Sequence, residues 1–125
     1  MPEAAEWSLT DAWLLTSVAG YGRRGCTLTN LIGTADARAH DVAAEAQAAT
    51  SLGRLIASGL LLVHNGRFRA TDTGRSLYKQ RSGGWFEEPG SVLQLLTAVP
   101  LVEATWEFAP GEYTAAYEAY SRRMR

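Results

Sequence analysis

Residues 60–71 read LLLVHNGRFRAT, and this stretch decides the fold class that the sequence predicts. Asn65-Gly66 is the strongest short signal for a β-hairpin, because both central positions of a type I′ turn need positive φ. In the returning strand side chains alternate between faces, so Phe68 lies on one face and Arg67 and Arg69 lie on the other. The sequence therefore predicts a two-stranded hairpin with a charged outer face.

Three helices are predicted before this hairpin, from apolar residues at helical spacing and from capping residues. The third has an apolar face and an opposite face of uncharged polar groups with one arginine. The first helix begins at a capping box formed by Ser8 and Asp11 and ends at Gly20. The second runs from Leu28 to Ala39 with Thr27 as its N-cap, and the third runs from about Val42 to Ser58 with Gly59 as its C-cap.

Three more helices are predicted after the hairpin. Thr71 caps a fourth helix to about Lys79 or Arg81, Ser91 and Gln94 form a capping box for a fifth that Pro100 ends, and a sixth runs from near Pro110 to Met124. The predicted fold is mainly α with a small β-hairpin (α+β). Residues 1–81 form one domain, 82–90 a connector and 91–125 a helical extension that packs on the domain or forms a dimer interface.

Composition and charge restrict the class of protein. A hydrophobic content of 46% in 125 residues is typical of a globular domain. The formal net charge is −1, but residues 61–82 carry a net +4 between two acidic segments. The single cysteine, Cys26, excludes an internal disulfide. The acidic N-terminus lacks signal-peptide features, and no apolar run approaches the ~20 residues of a membrane span, which predicts a cytoplasmic protein.

Two stretches carry a resemblance to a known family. Residues 52–61, LGRLIASGLL, resemble the end of the recognition helix and the first wing strand of bacterial regulators, and residues 69–77, RATDTGRSL, resemble the stretch after the wing. In this order the elements from Leu9 to Arg81 are similar to the winged helix-turn-helix of MarR-type and PadR-type transcriptional regulators. The resemblance implies a homodimeric protein that binds double-stranded DNA.

In such a complex the third helix enters the major groove, and the wing contacts the DNA backbone. Gln47 would contact an adenine edge and Arg54 guanine or phosphate, and Thr50 and Ser51 could serve either role. The phosphate contacts would come from the start of the second helix and from the wing, at Thr27, Thr29, Arg67 and Arg69, and Lys79 would add electrostatic attraction. A tyrosine stripe on the last helix is the predicted dimer interface. The predicted DNA-binding residues are Thr27, Thr29, Gln47, Thr50, Ser51, Arg54, Asn65, Arg67, Arg69 and Lys79, and the predicted interface residues are Tyr113, Tyr117, Tyr120 and Met124.

Two alternatives remain open from the sequence. The few basic residues in the third helix are also compatible with a winged-helix protein–protein interaction module that does not bind DNA. A small aromatic ligand in a pocket formed by Trp13, Trp85, Trp106 and Phe108 would be an addition to the regulator hypothesis. His40, His64 and Cys26 are not accompanied by other residues at a spacing that predicts a catalytic site. The sequence therefore predicts neither an enzyme nor a bound metal or cofactor.

Overall fold

The computed structural model describes residues 6–39, 45–82 and 88–123. The fold is mainly helical with one small antiparallel sheet, in agreement with the predicted α+β class. Its elements are α1 (Leu9–Gly20), a 3-10 helix (Gly22–Arg24), α2 (Leu28–Ala39), α3 (Glu45–Ala57), β1 (Leu61–His64), β2 (Arg67–Ala70), α4 (Asp72–Lys79), α5 (Glu88–Leu96) and α6 (Glu112–Arg123).

Helix α1 lies at the centre of the fold, in contact with α2, α3, α4, α5 and β2. Its predicted capping box is confirmed: Ser8 N donates to Asp11 Oδ2 at 2.8 Å, and Asp11 N donates to Ser8 Oγ at 3.3 Å. Residues on most sides of α1 are buried, and two of its buried hydroxyl side chains donate hydrogen bonds to backbone carbonyls of the same helix. Thr16 Oγ1 donates to the Ala12 carbonyl at 2.7 Å, and Ser17 Oγ donates to the Trp13 carbonyl at 2.8 Å.

The predicted helix limits are largely confirmed. Helix α2 has the predicted bounds, and Gly59 ends the region of α3 with φ +80°. The predicted start of α3 at Val42 lies outside the described residues. Thr71 caps α4, since its Oγ1 accepts from Gly74 N at 3.0 Å.

The predicted start of α5 at Ser91 is wrong. The helix begins at Glu88, and Ser91 Oγ accepts a hydrogen bond from Ser82 N at 2.8 Å instead of capping the helix. Proline is tolerated in a first helical turn, so Pro89 did not have to precede the helix. Helix α5 packs on α1 and α4, and α6 packs on α2. Both C-terminal helices therefore lie against their own chain.

Candidate nucleic-acid interface

The hairpin turn orients two arginines toward solvent. Asn65 and Gly66 have φ of +51° and +73°, as a type I′ turn requires. Strand β1 pairs antiparallel with β2, and the side chain of Phe68 enters the core at 4% exposure. Because side chains alternate along a strand, Arg67 and Arg69 point to the opposite, outward face. Arg67 is exposed and Arg69 is partly exposed.

A third extended segment pairs with the other side of β2. Cys26 N donates to the Phe68 carbonyl at 2.9 Å, and Phe68 N donates to the Cys26 carbonyl at 2.8 Å. This antiparallel register puts Thr27 opposite Arg67. Thr27 is also the first-turn cap of α2, since its Oγ1 accepts from Asn30 N at 3.2 Å. The structure therefore brings together three of the predicted phosphate contacts.

The hairpin arginines are not neutralised by neighbouring acids. Within residues 6–39, 45–82 and 88–123, ion pairs join carboxylates to Arg54 and Arg75, and none involves Arg67 or Arg69. Nε of Arg69 is buried and has no hydrogen-bond partner in this part of the chain. No carboxylate of the described residues therefore compensates the charge of these two arginines.

The outward face of α3 is different. Gln47 is exposed and Thr50 is partly exposed, and both line a groove of about 360 Å³ together with Ser8 and Thr10 of the α1 start. Thr50 Oγ1 donates to the Ala46 carbonyl at 3.0 Å. Ala46, Ser51 and Arg54 complete the lining of the groove. Gln47 and Thr50 are thus the predicted base contacts that remain at the surface.

Ser51 and Arg54 also line this groove, but less of each side chain is exposed. Ser51 is 3% exposed, and the Arg54 side chain is 17% exposed. Arg54 Nε donates to Glu103 Oε1 at 2.7 Å, and its Nη1 donates to Asp11 Oδ2 at 3.2 Å. The Glu103 hydrogen bond is the largest cause of a raised Arg54 pKa. Two carboxylates therefore compensate the cation that the sequence assigns to base reading.

An irregular segment, residues 101–106, crosses α3, and we call it the strap. Val102 N donates to Ser58 Oγ at 2.9 Å at the C-terminal end of the helix. Further along, Trp106 N donates to the Ala49 carbonyl at 2.8 Å. Between these points a Cβ on Gly53 would lie 2.3 Å from the Ala104 carbonyl oxygen, so only glycine permits the approach. The strap thus contacts the α3 region at Ser58, Gly53 and Ala49, from the C-terminal end of the helix into its N-terminal half.

The remaining predicted DNA contacts lie at separate places. Asn65 is exposed in the hairpin turn, and its Nδ2 lies 3.2 Å from His64 Nε2. Thr29 is partly exposed in the first turn of α2, and Lys79 is exposed in the last turn of α4. Thr29 lies two residues after Thr27, and Lys79 lies on a different helix.

The tyrosine stripe of α6 faces its own chain in part. Tyr113 is 8% exposed and packs at 5.4 Å, centroid to centroid, on Phe108. The ring of Tyr120 lies 3.1 Å from where a Cβ on Gly33 of α2 would be. Tyr117 is 45% exposed, and Met124 lies outside the described residues. The homodimer itself stays a prediction.

The described residues of the predicted aromatic pocket do not line a common groove. Trp106 packs edge-on against Phe68 with centroids 5.9 Å apart, and Trp85 lies outside the described residues. Trp13 is partly exposed on α1. Neither the groove beside Gln47 nor a second groove of about 490 Å³, formed in part by Trp7 and Leu93, is lined by these four residues.

Cys26 is fully buried, and burial raises the pKa of its thiol to about 12, an effect that the charge of Arg67 opposes but does not overcome. A reactive thiolate is consequently disfavoured at neutral pH. In the described part of the chain, no cluster of three His, Cys, Asp or Glu side chains is placed to hold a metal ion. Nor is any helix there both long and apolar enough to cross a bilayer.

Sequence reasoning missed the strap, since residues 101–109 carry no periodic pattern. One signal was available: Gly53 inside a helix costs about 1 kcal/mol relative to alanine, which indicates a close approach by another part of the chain. Comparisons with protein-family models, curated proteins and solved structures give no match to this chain.

Proposed function

We propose that this chain is a winged-helix protein that binds double-stranded DNA mainly through the phosphate backbone. The hairpin is the wing, and the Thr27 end of α2 and the outward arginines of β2 contact phosphates. The observation that carries the proposal is the pair Arg67 and Arg69, which face solvent from one strand with no carboxylate partner in the described residues. Guanidinium groups in this state are suited to phosphate oxygens.

The element order supports the winged-helix assignment. Three helices precede a hairpin, and the Cys26 segment pairs with β2 to add a third antiparallel edge to the sheet. Helices α2 and α3 are the two helices of the proposed helix-turn-helix. A role as a transcriptional regulator follows from this assignment and belongs to the proposal, as does a cytoplasmic location.

The strap restricts how α3 takes part. The major groove is about 12 Å wide and accepts one helix of about 10–12 Å diameter. The strap contacts α3 as far back as Ala49, and its Glu103 pairs with Arg54, so the exposed Gln47 and the partly exposed Thr50 are the residues that we assign to the groove. Gln47 would contact an adenine edge, and Arg54 would stabilise the domain and not contact a base.

A salt titration tests the proposal. Fluorescence anisotropy with a labelled duplex from the region flanking the gene should give an affinity whose logarithm falls linearly with the logarithm of salt concentration. Arg67→Ala should make that slope shallower by about 0.9, the contribution of one phosphate contact. Arg122→Ala, which removes an exposed arginine from α6, is the charge-matched control and should leave the slope unchanged. Equal slopes for both variants would contradict the assignment of the wing.

Sequence recognition is a separate outcome of the same titration. A preference of at least ~10³ for the flanking duplex over scrambled DNA would establish a specific regulator. Gln47→Ala should then lower that preference while the salt slope stays the same, because a base contact carries no counterion release.

A second candidate is the interaction module without DNA binding. The observation that favours it is the compensation of Arg54 by two carboxylates, Asp11 of α1 and Glu103 of the strap. This hypothesis predicts no salt-dependent DNA binding even at low ionic strength. Such a result, with the protein folded by circular dichroism, would replace the first proposal with this one.

A further inference from the structure

The short 3-10 helix between α1 and α2 contributes two more arginines next to the wing. Arg23 and Arg24 are both exposed, and the 3-10 helix contacts β2. In the sequence these residues lie more than forty positions before Arg67, in a segment of net negative charge. Their proximity to the hairpin is therefore a product of the fold.

Gly25 makes this contact possible. It has φ +69°, and a Cβ there would lie 2.1 Å from the Phe68 carbonyl oxygen and 2.4 Å from Cγ of Arg69. The turn thus lies directly against the stem of Arg69, and Arg24 is the residue immediately before Gly25. The antiparallel register set by Cys26 and Phe68 puts Gly25 opposite Arg69, at the end of the 3-10 helix that carries both arginines.

Two neighbouring elements, the 3-10 helix and β2, therefore carry four arginines in a chain of net charge −1. In the three described ranges none of Arg23, Arg24, Arg67 and Arg69 makes an ion pair with a carboxylate. Like charges held close together repel, and a bound polyanion relieves that repulsion. No acidic residue of the described chain offsets this repulsion by an ion pair with one of the four arginines.

The arrangement fits a linear polyanion better than a small anion. The arginines lie along a turn and a strand on an open surface, and neither of the two grooves described above includes them. We infer that Arg23 and Arg24 extend the phosphate-contact surface of the wing onto the α1–α2 turn, so that one DNA strand is followed across both segments. This inference rests on the proposed DNA-binding function.

The test uses the full chain and the same labelled duplex over the salt series. Arg23→Ala and Arg24→Ala should each make the log–log slope shallower by about 0.9, and the double variant by about 1.8. Both side chains are exposed, so thermal melting by circular dichroism should match the wild type. Arg122→Ala serves as the control that removes an equal charge from α6.

The outcomes separate the inference from the proposed function. A wild-type slope in the Arg23→Ala/Arg24→Ala variant, combined with a shallower slope in Arg67→Ala, would overturn the inference and leave the wing assignment intact. If Arg122→Ala alters the slope as much as Arg23→Ala does, the effect is one of net charge and the inference is also overturned. A wild-type protein that does not bind the duplex would overturn both.

Discussion

The outward face of α3 and the outward face of the hairpin are the two regions that the sequence assigns to DNA, and the fold treats them in opposite ways. On α3, Arg54 pairs with Asp11 and with Glu103 of the strap. On the hairpin, Arg67 is exposed and Arg69 is partly exposed, and neither has an acid partner in the described residues. A cation on a predicted interface is therefore informative only once its intramolecular partners are known.

The difference has a physical cause. Arg54 lies over the buried carboxylate of Asp11, which is 0% exposed and whose charge needs a nearby cation. No comparable buried carboxylate in the described part of the chain lies beneath β2, where Phe68 and Cys26 supply an apolar underside. The first arginine is used to stabilise the fold, and the other two remain available to a partner.

The largest effect is expected from removing the Arg54 cation on α3. Arg54→Met keeps much of the side-chain stem but leaves Asp11 buried without its cation, which typically costs about 3–5 kcal/mol. Since Arg54 is partly exposed, we expect a loss near the lower end, about 3 kcal/mol in the free energy of unfolding by urea. The matched variant Glu103→Gln removes an ion pair whose acid is 50% exposed and should cost no more than about 1 kcal/mol. Equal losses would show that Asp11 does not depend on Arg54.

The next effect tests the strap. Gly53→Ala places a Cβ against the Ala104 carbonyl, and overpacking of this kind costs about 1–3 kcal/mol. Alanine is intrinsically better in a helix by about 1 kcal/mol, so a net loss of about 1 kcal/mol or more means that the clash dominates. Gly90→Ala in α5, where nothing lies within 4 Å, is the control and should be neutral or stabilising. If both variants gain stability, the strap does not press on α3.

A smaller effect tests the geometry of the hairpin. Gly66 has φ +73° and open space around it, so Gly66→Ala should cost about 1 kcal/mol through backbone strain alone. Asn65→Gly keeps a residue that tolerates positive φ and should change the melting temperature less. A larger loss for Asn65→Gly than for Gly66→Ala would exclude the type I′ turn.

The smallest effect is expected in the reactivity of the Cys26 thiol, which lies on the buried side of β2. Because burial raises the pKa of the Cys26 thiol to about 12, the native thiol is protonated at pH 8 and should react slowly with a disulfide reagent, while urea-unfolded protein reacts fast. The stabilisation from the neutral thiol is present below its unfolded pKa and is lost as pH rises toward 12. Arg67 lowers this pKa, so Arg67→Ala should react more slowly still. Fast reaction of the native protein would contradict the buried position.

Local chemistry determined much of this protein from its sequence. The capping box of α1, the limits of α2, the Asn65-Gly66 turn and the Thr71 cap all depend on residues within a few positions of one another. So does the alternation that places Phe68 inward and its flanking arginines outward. These signals are short-range, and the structure agrees with them.

The tertiary structure alone decided which charges are compensated. Arg54 meets Glu103 across 49 positions and Asp11 across 43, the strap has no periodic pattern, and the 3-10 helix contacts β2 where Gly25 leaves room for Arg69. Such pairings depend on how the helices pack and not on spacing along the chain. The sequence therefore determines the elements and their faces, while the packing determines which of the arginines stay available to bind an anion.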